Sequence, residues 1–240
     1  LTEGIPIEYQ KNGETRGDSV KLIDWDNIAN NQFLAVNQFT VIEDNHNRRP
    51  DIILFVNGLP LVVIELKNAA DSKANLQAAY NQIQTYKWEI PSLFTYNALT
   101  VISDGLSARA GSLSANYNRF ANWKRKNDKG EIENNPDTNE LDILTKGMLN
   151  KHTLLDLIRH FIVFEQEKTE DPATKIISIS TTKKIAAYHQ YYAVNQAVES
   201  TIAATSPSGD RRGGVLWHTQ GSGKSLSMVF LAGKLVLSLN

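Results

Sequence analysis

The chain has 240 residues, 41% of them apolar and 21% charged, with no cysteine and a formal net charge of −1. That is long enough for one sizeable α/β domain and part of another, and it excludes disulfides and thiolate metal sites. With no apolar run of 18 residues and no signal-like N-terminus, the sequence predicts a soluble, cytoplasmic protein with no membrane partner, and the balanced charge confines any DNA-binding surface to a local patch.

In chain order, Ile5, Ile7 and Tyr9 alternate, which predicts a strand and then a turn at Asn12-Gly13. Residues 19–24 and 31–42 read as short extended or mixed segments. Glu43 and Asp44 adjoin a polar turn and read as solvent-facing loop acids. The stretch Pro50 to Lys67, PDIILFVNGLPLVVIELK, is the most informative. Ile52 to Val56 and Leu61 to Ile64 read as the arms of a β-hairpin, with Asn57-Gly58 as its turn. Both faces of both arms are apolar, so the pair belongs centrally in a covered sheet. Glu65 and Lys67 stand two residues apart and share a face.

Asp51 joins that face only under a condition of register. A plain two-residue loop that pairs Val56 with Leu59 would oppose Asp51 to Ile64, so an odd-length loop or a bulge is expected. Two carboxylates and a few waters satisfy Mg²⁺, and an ammonium beside a phosphate can polarise water and offset negative charge. The alternative is a solvated strand end with Asp51 as a turn residue.

Leu76, Tyr80 and Ile83 predict a helix that carries Gln82 and Tyr86, at i and i+4, on one face. Pro91 stops it, and residues 97–103 form a further strand, parallel to its neighbours. The stretch 116–139 holds Tyr117, Arg119, Phe120, Trp123, Lys124, Arg125 and Lys126 ahead of a polar run, which is a solvated loop or a set of DNA contacts through Arg119, Lys124 and Arg125. Residues 152–167 predict an amphipathic helix with structural histidines, His152 and His160. The polar break 168–172 marks a boundary between domains 1–170 and 171–240. Residues 176–179 are short and alternating, and 183–205 predict a helix. Residues 215–228 then read as a strand, a glycine-rich turn and a helix, which is the setting of a phosphate loop. In it Gly221 and Gly223 admit phosphate to the backbone, Lys224 reaches the phosphates and Ser225 ligates Mg²⁺. The first residue is Leu, and Asn240 lies inside an apolar helical pattern, so an excerpt of a longer chain is expected.

The spacing P-D-x(13)-E-L-K resembles the signature of the PD-(D/E)xK nuclease superfamily, and the following Q-x-x-x-Y pair resembles the helix motif of RecB-like nucleases and type I restriction motor subunits. The run W-H-T-Q-G-S-G-K-S resembles motif I of those motors, in which His218 replaces the first glycine of the simplest phosphate loop. Tyr188-His-Gln190 resembles the segment with which such motors read adenine. The resemblance implies an α/β fold: a restriction-endonuclease-like mixed sheet flanked by helices, then the first strand, phosphate loop and helix of a RecA-like domain. It implies nuclease chemistry at Asp51, Glu65, Lys67, Gln82 and Tyr86, with Mg²⁺ on Asp51 and Glu65. It further implies Mg²⁺ and ATP held by Gln190, Gly221, Ser222, Gly223, Lys224 and Ser225. Partners would be double-stranded DNA and the methylation and specificity subunits of a restriction-modification complex. The 240 residues alone are not expected to hydrolyse ATP, because no second motor strand with a Walker B acid is included. A catalytically silent DNA-binding or scaffold module attached to a motor is the competing reading.

Overall fold

The computed structural model describes residues 1–68, 75–126, 132, 139–172 and 174–238. The chain divides into two compact units, Leu1–Ala108 and Arg109–Asn240.

The first unit opens with an exposed hairpin, β1 (Ile5–Lys11) and β2 (Glu14–Val20), joined at Asn12-Gly13 as the alternation predicts. Next come β3 (Phe33–Asn37) and a small ribbon of β4 (Val41–Glu43) and β5 (His46–Arg48). Then β6 (Ile52–Val56), β7 (Leu59–Leu66), α1 (Leu76–Glu89) and β8 (Leu99–Ser103) complete a mixed sheet. Its order is β3-β6-β7-β8, antiparallel up to β7 and parallel between β7 and β8, and α1 packs on β7 and β8. The chain leaves this unit within the edge strand β9 (Ala108–Gly111). As the two-sided apolar pattern requires, β7 is central, with Leu61, Val62 and Val63 fully buried.

The hairpin turn is Asn57-Gly58, both residues with positive φ (49° and 81°), which is the geometry that suits a two-residue connection between twisted strands. It pairs Val56 with Leu59 and Phe55 with Pro60, but Leu54 then pairs with Val62. Leu61 is thus the extra residue of a β-bulge, next to a proline that has no N–H to give to the ladder. From there Ile53 faces Val63 and Ile52 faces Ile64, so the next step sets Asp51 opposite Glu65. The bulge expected from the register has formed.

The second unit contains α2 (Glu140–Gly147), α3 (Lys151–His160), a long hairpin of β10 (Ile162–Glu170) and β11 (Ile177–Ile185), α4 (Tyr188–Thr205) and α5 (Lys224–Ser238). Several expectations are corrected here. The helix predicted over 152–167 ends at His160, because the β-branched and aromatic run Ile162-Val163-Phe164 pairs as a strand with Lys183 to Ile185. Phe161, fully buried, turns the chain into the core against Tyr191 and Phe230. The predicted helix over 183–205 consequently starts at Tyr188. The polar break at 168–172 falls where β10 ends and the hairpin turns towards β11.

The strand expected over 215–218 is not formed, and that stretch has no regular structure. A strand needs a neighbour to satisfy its backbone groups, and among the described residues none lies alongside. Val215 and Trp217 are 99% and 88% exposed, at the mouth of an open cleft of about 1140 Å³ between α4 and this segment. Phe120 and Trp123 are buried, Trp123 against Tyr191 and Tyr192, so these aromatics build core and are not free to stack on bases. Of the polar run 127–139, only Ile132 and Asn139 lie among the described residues. No described helix is long and apolar enough to cross a membrane.

Candidate functional site

The mixed sheet of the first unit carries a cluster of charge at the C-terminal end of its central strand. Asp51 sits just before β6. Its Oδ2 accepts a hydrogen bond from the Leu66 N–H at 2.8 Å, and its Oδ1 accepts one from the Gln38 side-chain amide, also at 2.8 Å. Across the hairpin, Glu65 is only 3% exposed. Its Oε1 accepts from the Lys67 ammonium at 2.7 Å, as the shared face of residues i and i+2 allows. Its Oε2 is buried and, among the described residues, has no hydrogen-bond partner. Burial lifts the Glu65 carboxyl above the usual carboxylate range; the Lys67 ammonium opposes this and the Asp51 charge reinforces it.

Helix α1 supplies the other face of the site. Ile83 and Tyr86 point into the core, and the i, i+4 spacing sets Gln82 beside Tyr86. The phenol lies close enough to Glu65 and Gln82 to feel both, and burial followed by the Glu65 charge raises its pKa. No geometrically complete hydrogen bond from it reaches Glu65 Oε2. The helix is held in place at its last turn, where Arg48 on β5 grips both oxygens of Glu89, one of them at 2.7 Å. Glu43, expected to be a loop acid, accepts from the backbone and hydroxyl of Ser92 and so secures the 3₁₀ turn that follows α1.

The structure therefore brings together all five residues singled out in this half of the chain. Sequence reasoning missed Gln38, Arg48 and Glu89, since an amide or an ion pair in a polar stretch carries no local signal. Among the described residues no group of three or more His, Cys, Asp or Glu converges as a metal cluster. The oxygen donors at this point are the two carboxylates, one with an unsatisfied buried oxygen.

In the second unit, Gly221 and Gly223 both adopt positive φ (78° and 79°) ahead of α5. The φ of Gly223 favours glycine, and a Cβ there would stand 2.7 Å from the Gln190 amide nitrogen and displace that side chain. Gln190 is buried, accepting from the Ala187 N–H at 2.9 Å and donating to the Gly223 carbonyl at 3.0 Å. The His189 ring contacts the Ser222 carbonyl at 3.1 Å. Lys224 donates to the carbonyls of His218 (3.1 Å) and Thr219 (3.0 Å), and Ser225 follows it in the exposed first turn of α5. The residues expected around a phosphate are thus gathered; Gln190, His189 and Lys224 are bonded to the loop backbone, and the buried Ser222 hydroxyl has no hydrogen-bond partner among the described residues.

A mixed α/β unit with a charged, partly unsatisfied site, followed by a glycine-rich loop that opens a helix, defines a two-part chain, and comparison with known proteins divides it similarly. The profile of the type I restriction enzyme R protein N terminus matches residues 1–119, and the profile of the SWI2/SNF2 ATPase matches residues 189–240. The chain belongs to the type I restriction enzyme R proteins and corresponds to their N-terminal region. It is 51% identical over 237 residues to the HindI endonuclease subunit of Haemophilus influenzae, covering 98% of this chain and 22% of that protein. It is 35% identical over 256 residues to a protein of Methanocaldococcus jannaschii named a putative type I restriction enzyme MjaIXP endonuclease subunit, covering 98% and 23%. Over 228 residues it is 28% identical to the SauMSSORF170P endonuclease subunit of Staphylococcus aureus, covering 95% and 21%. The chain thus spans about a fifth of the length of the curated relatives it matches.

Proposed function

We propose that this region carries the nuclease centre of an R subunit and the start of its motor, so that Mg²⁺-dependent phosphodiester hydrolysis in double-stranded DNA is coupled to ATP-driven translocation. In this reading β6, β7, α1 and β8 are the core of a PD-(D/E)xK fold, and α4, the glycine-rich loop and α5 belong to a RecA-like domain. Methylation and specificity subunits would supply sequence recognition.

The observation that carries the proposal is the unpartnered Oε2 of Glu65, with the Asp51 carboxylate across the hairpin. Leaving a buried carboxylate oxygen without a partner costs roughly 1–3 kcal/mol or more, and a scaffold would gain nothing from it. The two carboxylates fit a hard divalent cation, which when bound would supply positive charge to the scissile phosphate and lower the pKa of water. Asp51 and Glu65 would hold it. Lys67, free to leave Glu65 once that charge is neutralised, would orient the attacking water and offset charge building on the phosphate. Tyr86 and Gln82 would fix the Glu65 side of the site. At the other site Lys224 and Ser225 would serve ATP and its Mg²⁺, with Gln190 on the adenine or on the loop.

Mg²⁺-dependent nicking by the full-length protein tests this. The expected result is nicking by the parent and none by Glu65→Ala of equal fold. Equal nicking by both would overturn the assignment.

A further inference from the structure

We infer that Gln38 is a positioning residue of the nuclease centre, one that fixes the Asp51 carboxylate for cation binding. The inference rests on the function proposed above. A carboxylate turns easily about its last side-chain torsion, which has broad minima, so a precise ligand needs outside restraint on both oxygens. Asp51 has it from two elements: the Leu66 N–H of β7 holds Oδ2, and the Gln38 amide, just beyond β3, holds Oδ1. Leu66 acts through its backbone, which makes Gln38 the side-chain half of the clamp.

The backbone of Gln38 adds a second, independent observation. Its φ is +52°, in the left-handed region that residues other than glycine seldom enter. In that conformation its N–H also donates to the Asp51 carbonyl at 2.9 Å, and its own carbonyl accepts from Arg49 at 3.5 Å. One residue thus grips Asp51 at main chain and side chain from a conformation that glycine would adopt more readily. If the loop served only to close the sheet, glycine would be the better residue here. An amide suits the task, because it donates to one lone pair of Oδ1 without bringing a charge, and it leaves the other lone pair for a cation.

The test is Gln38→Gly in the full-length protein, a change that the positive φ accommodates and that removes the side chain with its amide. Mn²⁺ binding by electron paramagnetic resonance and the Mg²⁺ dependence of cutting are read on parent, Gln38→Gly and Asp51→Asn. The inference predicts that Gln38→Gly melts no lower than the parent, weakens Mn²⁺ binding roughly ten-fold, the scale on which residues that orient a metal ligand act, and recovers its cutting rate at high Mg²⁺. Unchanged Mn²⁺ affinity and Mg²⁺ dependence would overturn it. So would a loss of cutting that no Mg²⁺ concentration restores while Mn²⁺ binds normally, which would place Gln38 on the DNA or in the chemistry. The Asp51→Asn arm separates the two levels. If that variant binds Mn²⁺ and cuts like the parent, the nuclease assignment fails; if it loses both and Gln38→Gly loses neither, only the role of Gln38 fails.

Discussion

A carboxylate that is 3% exposed, with one oxygen on an ammonium and the other without a hydrogen bond among the described residues, destabilises the fold that carries it. Glu65→Gln removes the charge and keeps the shape, so the full-length protein without divalent cation should become more stable at neutral pH by about 1–2 kcal/mol. Its cutting should fall by a factor on the order of a hundred or more, the loss typical of removing a preorganised electrostatic group. Urea unfolding with chelator present and a nicking assay check the two halves, and a parallel loss of stability and cutting would contradict this account. Lys67→Ala acts in the opposite direction on stability, since it removes the cation paired with the buried Glu65 charge. Asp51, Glu65 and Lys67 were legible in the sequence because charge inside an apolar run stands out. Gln38 was not, because its role depends on a backbone angle and on a partner 13 residues away.

At the scale of the element, the hairpin shows how far register reasoning reaches. The Asn57-Gly58 turn and the apolar arms were readable, and parity alone demanded an irregularity, though not its location at Leu61. What the sequence did not disclose is that the turn is tied down from outside. The Asn57 side chain accepts from the Gln32 N–H at 2.8 Å and donates to the Leu22 carbonyl at 2.9 Å and to Asn31 at 2.8 Å. Asn57→Ala removes these bonds and leaves a non-glycine residue at φ 49°, so it should cost about 2–3 kcal/mol, more than an ordinary turn position. Chemical denaturation checks this, and a cost under about 0.5 kcal/mol, the surface norm, would contradict it.

Helix α3 is shorter than its sequence pattern suggests, because Phe161, Ile162 and Phe164 continue an apolar spacing that suits helix and strand alike. Its His160 has a defined setting. Burial first, and then the Lys234 ammonium, press its pKa to about 4, against the opposing pull of Asp156; Arg159 adds to the lowering. Lys234 is itself held by Asp156 at 2.5 Å and by Asn195 at 2.6 Å, which joins α3, α4 and α5. Because the unfolded histidine titrates near 6.5, the folded state binds this proton less tightly. The contribution of His160 is present above pH 6.5 and is lost as pH falls towards 4. His160→Gln should flatten that part of the stability profile, measured by urea unfolding between pH 7 and pH 4; an unchanged slope would contradict the assignment.

On the scale of the whole chain, two sites lie in two compact units, one built around a buried carboxylate and one around a glycine-rich loop. The loop was legible from its residues, whereas the strand expected before it was not formed, since a strand is a property of its neighbours as much as of its own sequence. If the two sites divide the work as proposed, each should fail alone. Lys224→Ala should abolish ATP turnover and, with it, the cutting that depends on translocation. The most direct measurement is ATP hydrolysis and DNA cleavage recorded together on full-length Asp51→Asn, assembled with its methylation and specificity subunits. The account predicts cleavage lost and ATP turnover close to that of the parent. Cleavage at the parental rate, or ATP hydrolysis stopped as completely as in Lys224→Ala, would contradict it.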